Sequence, residues 1–290
     1  MVFSLKELNI CAFRRAPFFP KKTRESEQEA AAFHMVEKRL ICHYGGVSAI
    51  EYLDMLAKLG VGNAHPGGFG ETIEQLKNYP IEKGKRVLEV GCGTGRTACY
   101  LAEQGCEVTA VDIRPEMIAK AIIRAEKQGV QVQFLVGDVC QLPFEDHTFD
   151  VVMVESVTNF ADAQKAVSEY YRVLKSEGKL YDREVIRVKQ MSPSIQRALC
   201  SFYGVSKIYS MDEWRELLEK GRFGPVEFSG IHSFPLMMFE DQVQHPDPVH
   251  LSDKQSFMDP RIWQITAKYD ELVNKYHSYM GYTLMIGSKE

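Results

Sequence analysis

Residues 87–95 read Val-Leu-Glu-Val-Gly-Cys-Gly-Thr-Gly, an apolar run that breaks into alternate glycines before helical sequence resumes. A strand ends here, the chain turns sharply, and a helix begins. Glycine tolerates the positive φ such a turn needs and lets the backbone come close to a ligand. The helix beyond presents N–H groups with no intrahelical partner, and a carboxylate or phosphate can take them. Alone, the turn is also compatible with a purely structural strand-to-helix connection.

The surrounding sequence repeats the alternation. Arg86–Val90, Glu107–Val111, Val132–Val136, Val151–Val154 and Lys179–Ile186 have strand character. Helical spacing covers Thr94–Gln104, closed by Gly105, then a stretch opened by Pro115 and closed by Gly129, then Ala161–Leu174. Ser210 with Glu213 forms a capping box for a later helix that Gly221 ends, and Pro225–Phe234 and Tyr282–Gly287 supply two last strands. The expected fold is α/β, a seven-stranded, mostly parallel sheet with helices on both faces.

Two segments lie outside that pattern. Residues 1–80 read as an N-terminal helical cap, with capping boxes at Ser26/Glu29 and Ser48/Glu51, a break at Gly45-Gly46 and a helix end at Gly60. The turn-rich His65-Pro66-Gly67-Gly68-Phe69-Gly70 follows it. Residues 236–280 read as an insertion before the last strand, with a loop at Gln244–Pro248 and a helix capped by Asp259 and opened by Pro260. The expected organisation is thus a cap over 1–80 and a main domain over 81–290.

The formal net charge of −4 lacks the basic surplus of a nucleic-acid reader. The N-terminus has charges at Lys6 and Glu7 that interrupt any signal-peptide core, and no apolar run is long enough to span a membrane. A cytoplasmic location is the expectation. The seven cysteines are odd in number and show no Cys-x-x-Cys spacing, which argues against a disulfide framework or structural zinc.

Carboxylates sharpen the glycine turn. A dinucleotide site wants Gly-x-Gly-x-x-Gly, whereas here the glycines are Gly91, Gly93 and Gly95 and Arg96 takes the place of the third. Glu89 precedes the turn. Asp112 ends the next strand, where an acid can accept both ribose hydroxyls. Asp138, after Gly137 at the end of the third strand, is placed to accept from an adenine amino group. Three acids without a phosphate-seeking lysine suit a ligand with ribose, adenine and an amino-acid tail. S-adenosylmethionine, a cationic sulfonium, is such a ligand.

The segments Val87–Gly95, Ala110–Met117, Gly137-Asp138-Val139, Leu142-Pro143-Phe144, Phe149–Val152 and Tyr171–Lys175 together resemble a class I S-adenosylmethionine methyltransferase of the ubiquinone/menaquinone-biosynthesis type. The resemblance runs from Val87 to Ile186. It implies a Rossmann-like sheet and places Gly91, Gly93 and Gly95, with Cys92 and Thr94 between them, beside the methionine part. Asp112 and Ile113 then border the ribose, and Asp138 and Val139 the adenine. Ser176-Glu177-Gly178 departs from the Pro-Gly-Gly frequent in relatives. The resemblance does not extend to an acceptor substrate.

Other residues have two readings each. Glu155–Asn159 follows a strand end and is either a plain loop or pocket lining, with Glu155 the cofactor-facing candidate. His65–Gly68 is either a connection or a loop that closes on the cofactor carboxylate through Gly67 and Gly68 N–H groups; relatives often carry Pro-Gly-Gly here. The basic run Arg14, Arg15, Lys21, Lys22 and Arg24, beside Phe13, Phe18 and Phe19, is a solvated terminus or a lid. His245, Asp247 and His250 suit a turn better than a metal, and no metal is expected. Cys92, Cys99 and Cys106 read as core.

The function implied is methyl transfer to a small-molecule acceptor, with no nucleic-acid or membrane partner. No Asp–His or Lys–Glu signature marks a general base; His43, Tyr44 and His65 are candidates by position only, and no catalytic residue is assigned. Two alternatives share the turn: a non-catalytic S-adenosylmethionine-binding regulator, and a nicotinamide oxidoreductase, against which Arg96 counts.

Overall fold

The computed structural model describes residues 47–236 and 240–290. The Ser26/Glu29 capping box, the basic-aromatic run, His43, Tyr44 and Gly45-Gly46 lie outside the described residues. β1 (Arg86–Val90), β2 (Glu107–Asp112), β3 (Val132–Val136), β4 (Phe149–Glu155) and β5 (Leu174–Arg187) run parallel. β8 (Met280–Ser288) lies antiparallel to β5, from Lys179 opposite Ser288 to Arg187 opposite Met280. With β6 (Glu227–Phe228) at the edge, the strand order is β3-β2-β1-β4-β5-β8-β6.

The expected seventh strand, Pro225–Phe234, forms as two short pieces, β6 (Glu227–Phe228) and β7 (His232–Ser233), both paired with β8. Phe228 faces Met285 and His232 faces Tyr282, so the edge strand carries one residue more than its partner over that stretch. Gly230, at φ +109°, takes up the slack. A bulge of this kind ends regular pairing on an edge strand.

Both faces of the sheet are buried, which is why its strands read as apolar runs rather than alternating ones. Leu88, Val90, Val152, Val154, Leu180 and Ile186 face one side and pack with Tyr170, Val173 and Trp214. Val87, Val108, Ala110, Val151, Met153 and Tyr181 face the other and pack with Ala98, Leu101 and Ile118. Each fully buried aliphatic side chain contributes about 1.5–3 kcal/mol to folding.

The helices begin and end where local chemistry dictates. α1 (Val47–Leu59) closes at Gly60, φ +65°, but already contains Ser48, so the Ser48/Glu51 box does not start it. α2 (Gly68–Asn78) takes in the last three residues of the turn-rich segment and runs on through the stretch read as helical. α3 (Arg96–Glu103) starts two residues after Thr94 because Gly95 caps it in the left-handed region, φ 76°. α4 (Pro115–Gln128) closes at Gly129, φ 67°. α5 (Ala163–Val173) is capped by Asp162 and α6 (Pro193–Tyr203) by Ser192. α7 (Met211–Lys220) has the full Ser210/Glu213 box. A short α8 (Glu240–Gln244) precedes α9 (Pro260–Tyr276), which Asp259 caps.

A third apolar cluster joins α1, α6 and α9 through Tyr52, Phe202, Tyr203 and Tyr269. It also takes in Phe160, Val185 and Met280, at the end of the sheet where β4 and β5 finish. The ligand end of a parallel sheet is that same end.

Candidate functional site

The glycine turn sits at the carboxyl end of β1. Gly91, Gly93 and Gly95 all have positive φ, +68°, +52° and +76°. Their surroundings differ. A Cβ at Gly91 would lie 2.2 Å from Val157 Cγ2, and one at Gly95 would lie 2.8 Å from Ala121 Cβ, whereas one at Gly93 meets nothing within 4 Å. Gly91 and Gly95 are therefore glycines by packing, and Gly93 presents bare backbone to open space. The N–H groups of Gly91 and Cys92 both donate to Val111 O, which ties the turn to β2.

Cys92 and Thr94 point inward. Burial, helped by Glu89 and Asp112, pushes the Cys92 thiol well above its ordinary range. Thr94 is fully buried; its carbonyl accepts from Arg124 Nε at 2.8 Å and its hydroxyl from Arg124 Nη2 at 3.2 Å. Both shape the turn from beneath through their side chains.

Three acids converge around the turn. Glu89 is buried, accepts from the Ala98 N–H, and keeps Oε2 without any hydrogen-bond partner. Burial, reinforced by the nearby charges of Glu155 and Asp112, pushes its carboxyl well above the ordinary value. Asp112 accepts from Gly93 N at 2.8 Å and Arg114 N at 2.9 Å, and burial still raises it. Ile113 is half-buried beside it. Asp138 accepts from Cys140 N at 2.8 Å, Val139 is buried, and Gly137 N donates to Asp112 O at 3.0 Å. The ends of β2 and β3 are thereby stitched together.

Glu155 has a different setting from the one its sequence position suggested. Its two oxygens accept from Thr72 Oγ1 at 2.6 Å and Thr97 Oγ1 at 2.9 Å, and His65 Nε2 stands 3.5 Å away. Burial lowers the His65 pKa, so its ring is neutral near pH 7. Glu155 thus locks α2 to α3.

The His65–Gly70 segment also departs from the reading as a free loop. Gly67, φ +82°, is the N-cap of α2, and Gly68 N donates back to His65 O at 3.0 Å. The next two N–H groups, Phe69 and Gly70, are taken by Asp241 at 2.7 and 3.0 Å. Gly68 is therefore not a spare donor. The helix start inside the turn-rich segment is not legible in the sequence because its first N–H groups are taken by a side chain 172 residues away from Phe69.

The 244–248 loop is strapped across the same helices. Arg124, 1% exposed, pairs with Asp247, 4% exposed, through bonds of 2.7 and 2.5 Å. Arg96 donates to His245 O and Pro246 O and lies 4.0 Å over the Phe69 ring. His245 Nδ1 meets Asp241 at 2.8 Å. His245 and Asp247 are thus structural partners, and among the described residues no group of three or more His, Cys, Asp or Glu could hold a metal. Nor is any described helix long and apolar enough to cross a membrane.

A buried network on β5 was not read from the sequence. Asp182 and Glu184 are both fully buried beneath residues 157–159. Burial pushes both carboxyls up, and their mutual repulsion adds to the Asp182 shift. Arg183, on the opposite face, binds Glu71 and Gln75 of α2. An alternating Asp-Arg-Glu resembles an exposed strand edge until the helices on both faces are known.

A family model for a methyltransferase domain matches residues 88–182. The chain is also 30% identical over 238 residues to the uncharacterized methyltransferase YodH of Bacillus subtilis, covering 82% of this chain and 99% of that one. The chain belongs to the class I S-adenosylmethionine-dependent methyltransferases. The demethylmenaquinone methyltransferase of Thermus thermophilus is 44% identical over 99 residues, 33% of this chain and 45% of that protein. That match is confined to about a third of the chain. A structure of Haemonchus contortus phosphoethanolamine N-methyltransferase 2 in complex with S-adenosyl-L-methionine superposes with a TM-score of 0.68 at 24% identity. It covers 84% of this chain and 60% of that chain, and the likeness is one of fold.

The residues around the turn suit the methyltransferase cofactor. An unpartnered, buried Glu89 oxygen calls for a cation, and the bare face of Gly93 leaves room for a ligand. A ligand carrying an ammonium, a ribose and an adenine would find acids at the ends of β1, β2 and β3.

Proposed function

We propose that this methyltransferase acts on a small-molecule acceptor and that the cofactor lies along Glu89, Gly93, Asp112, Asp138 and Val139. The observation that carries the reading is Glu89 Oε2, buried and unpartnered on the strand that runs into the glycine turn, in which Gly93 has open space over its backbone. A buried acceptor left without a partner costs about 1–3 kcal/mol. A ligand ammonium removes that cost and brings the carboxylate back to its ionised form. Asp112 receives the ribose hydroxyls while its two backbone bonds keep it aimed. Asp138, half-exposed, is free to accept from the adenine amino group at one oxygen.

Bound there, S-adenosylmethionine supplies a methyl group already activated on a sulfonium. The chain's own contribution is orientation and dryness. Glu89 and Asp112 fix two ends of the ligand. Glu155, with Thr72, Thr97 and neutral His65, holds α2 over the turn and keeps water out. The apolar, aromatic cluster of α1, α6 and α9 supports an acceptor chamber beyond the strand ends. A nucleophile that keeps its proton near pH 7 needs a base, and a thiolate or stabilised carbanion does not.

The test is tritium transfer from labelled S-adenosylmethionine to a panel of phenols, thiols, quinols, amines and carboxylates. Turnover of at least one small molecule, lost in Asp112→Ala with the fold retained, is the expected result. Cofactor binding with no turnover on any acceptor class would instead favour a regulator.

A further inference from the structure

Glu184 gathers an unusual number of donors. One oxygen accepts from Val157 N at 2.8 Å and Thr158 N at 2.6 Å, with Asn159 N at 3.4 Å. The other accepts from Asn159 Nδ2 at 2.7 Å. A single buried carboxylate therefore collects the N–H groups of three consecutive residues just after β4. The residue before them, Ser156, has φ +61°, in the left-handed region that non-glycine residues rarely adopt. Strained backbone of this kind persists only where its surroundings over-determine it. The next residue, Val157, lies against the glycine turn, since it is Val157 that a Cβ at Gly91 would strike. A continuous chain of contacts thus runs from Glu184 through the Val157 N–H and side chain to Gly91.

We propose that Glu184 is a positioning residue for methyl transfer: it holds the 156–159 turn in its strained form, so that Val157 closes on Gly91 and fixes the floor of the cofactor seat. The inference rests on the reading of the glycine turn as that seat. Asp182 assists from the same strand by accepting from Thr158 Oγ1 at 2.8 Å, and Tyr170 of α5 meets that hydroxyl at 3.1 Å. Glutamine can stand in for Glu184. Its carbonyl can accept the backbone N–H groups, and its amide can donate to Asn159 Oδ1 once the Asn159 amide turns over, which gives up only the longer Asn159 Nδ2 bond to Val185 O at 3.1 Å. Alanine can do neither, and leaves several N–H groups buried and unmade.

The experiment is titration of S-adenosylhomocysteine into wild type, Glu184→Ala, Glu184→Gln and Val157→Ala, with Leu218→Ala as a control. Leu218 is a fully buried core residue on α7. Glu184→Ala is expected to weaken binding about tenfold or more, the equivalent of one or two lost hydrogen bonds. Glu184→Gln should stay within about threefold of wild type, and Val157→Ala, which leaves the carboxylate untouched, should lose about fivefold. Leu218→Ala should lower the melting temperature without changing affinity. Wild-type affinity in Glu184→Ala or in Val157→Ala overturns the proposal, as does a Glu184→Gln no better than alanine or a control that weakens binding equally. If Glu184→Ala does not fold, the glutamine and Val157 variants decide. Failure of folded wild type to bind overturns the cofactor reading itself, whereas tight binding that none of these variants disturbs overturns only the role of Glu184.

Discussion

Replacing Asp247 by alanine strands a guanidinium. Arg124 is 1% exposed and meets Asp247 through two bonds of 2.7 and 2.5 Å. Burial would raise the Asp247 carboxyl, but Arg124 outweighs it and holds the group below its ordinary value. Breaking a buried pair by removing one partner costs about 3–5 kcal/mol. Thr94 still offers Arg124 two acceptors, so the lower end, about 3 kcal/mol, applies here. For a domain of this size that is a fall in melting temperature of roughly 6–12 °C. Replacing both partners, as Arg124→Met with Asp247→Leu, should recover only part of the loss, since an apolar pair removes the buried charge but leaves Thr94 O and Oγ1 without their Arg124 donors. Urea denaturation of the single and double variants at two ionic strengths is the assay. A loss below about 1 kcal/mol, or one that salt abolishes, is the behaviour of an exposed pair and would refute the strap.

Gly91→Ala should abolish binding of S-adenosylhomocysteine, because its Cβ meets Val157 at 2.2 Å and its φ is +68°. Gly93→Ala has no such clash; calorimetry should show weaker binding with a stability loss of about 1–2 kcal/mol from its left-handed φ alone. Glu177, at φ +63°, should give about 0.5–1 kcal/mol of extra stability as Glu177→Gly, the relief of the left-handed strain less the entropic cost of glycine, read from denaturation midpoints. The Asp182–Glu184 pair predicts a pH effect of definite sign. Burial raises Glu184 from 4.5 to about 7, so its protonated form is the one the fold favours. Its stabilising contribution is complete below pH 4.5 and is lost as pH rises through about 7. Melting temperatures of wild type should fall over that window, and those of Glu184→Gln should fall less; parallel curves would contradict the assignment.

Local signals carried most of the fold. Pro115, Gly129, the Ser210/Glu213 box and the Asp259-Pro260 start mark helix ends at which the structure agrees, because caps act within one turn. The α6 start carries the same kind of mark in Ser192-Pro193. What could not be read depended on distant partners. α2 is capped by Asp241, and Arg124 looks like a solvent-facing helix residue until Asp247, 123 positions later, buries it. Glu155 followed a strand end as a ligand residue should, yet its oxygens go to Thr72 and Thr97, from two helices whose approach no spacing rule encodes. The placement of Glu89, Asp112 and Asp138 at or just past the ends of β1, β2 and β3 is legible because it follows from the strand pattern alone.

Calorimetric titration of S-adenosylhomocysteine into wild type and Glu89→Gln is the most direct measurement. The unpartnered Glu89 oxygen predicts saturable one-to-one binding by wild type. It also predicts proton release on binding, seen as a buffer-dependent enthalpy, since a cation nearby lowers a carboxyl that burial had raised. Glu89→Gln should bind more weakly and lose the buffer dependence. Absence of binding by folded wild type, or an unchanged affinity and enthalpy in the variant, would contradict the account.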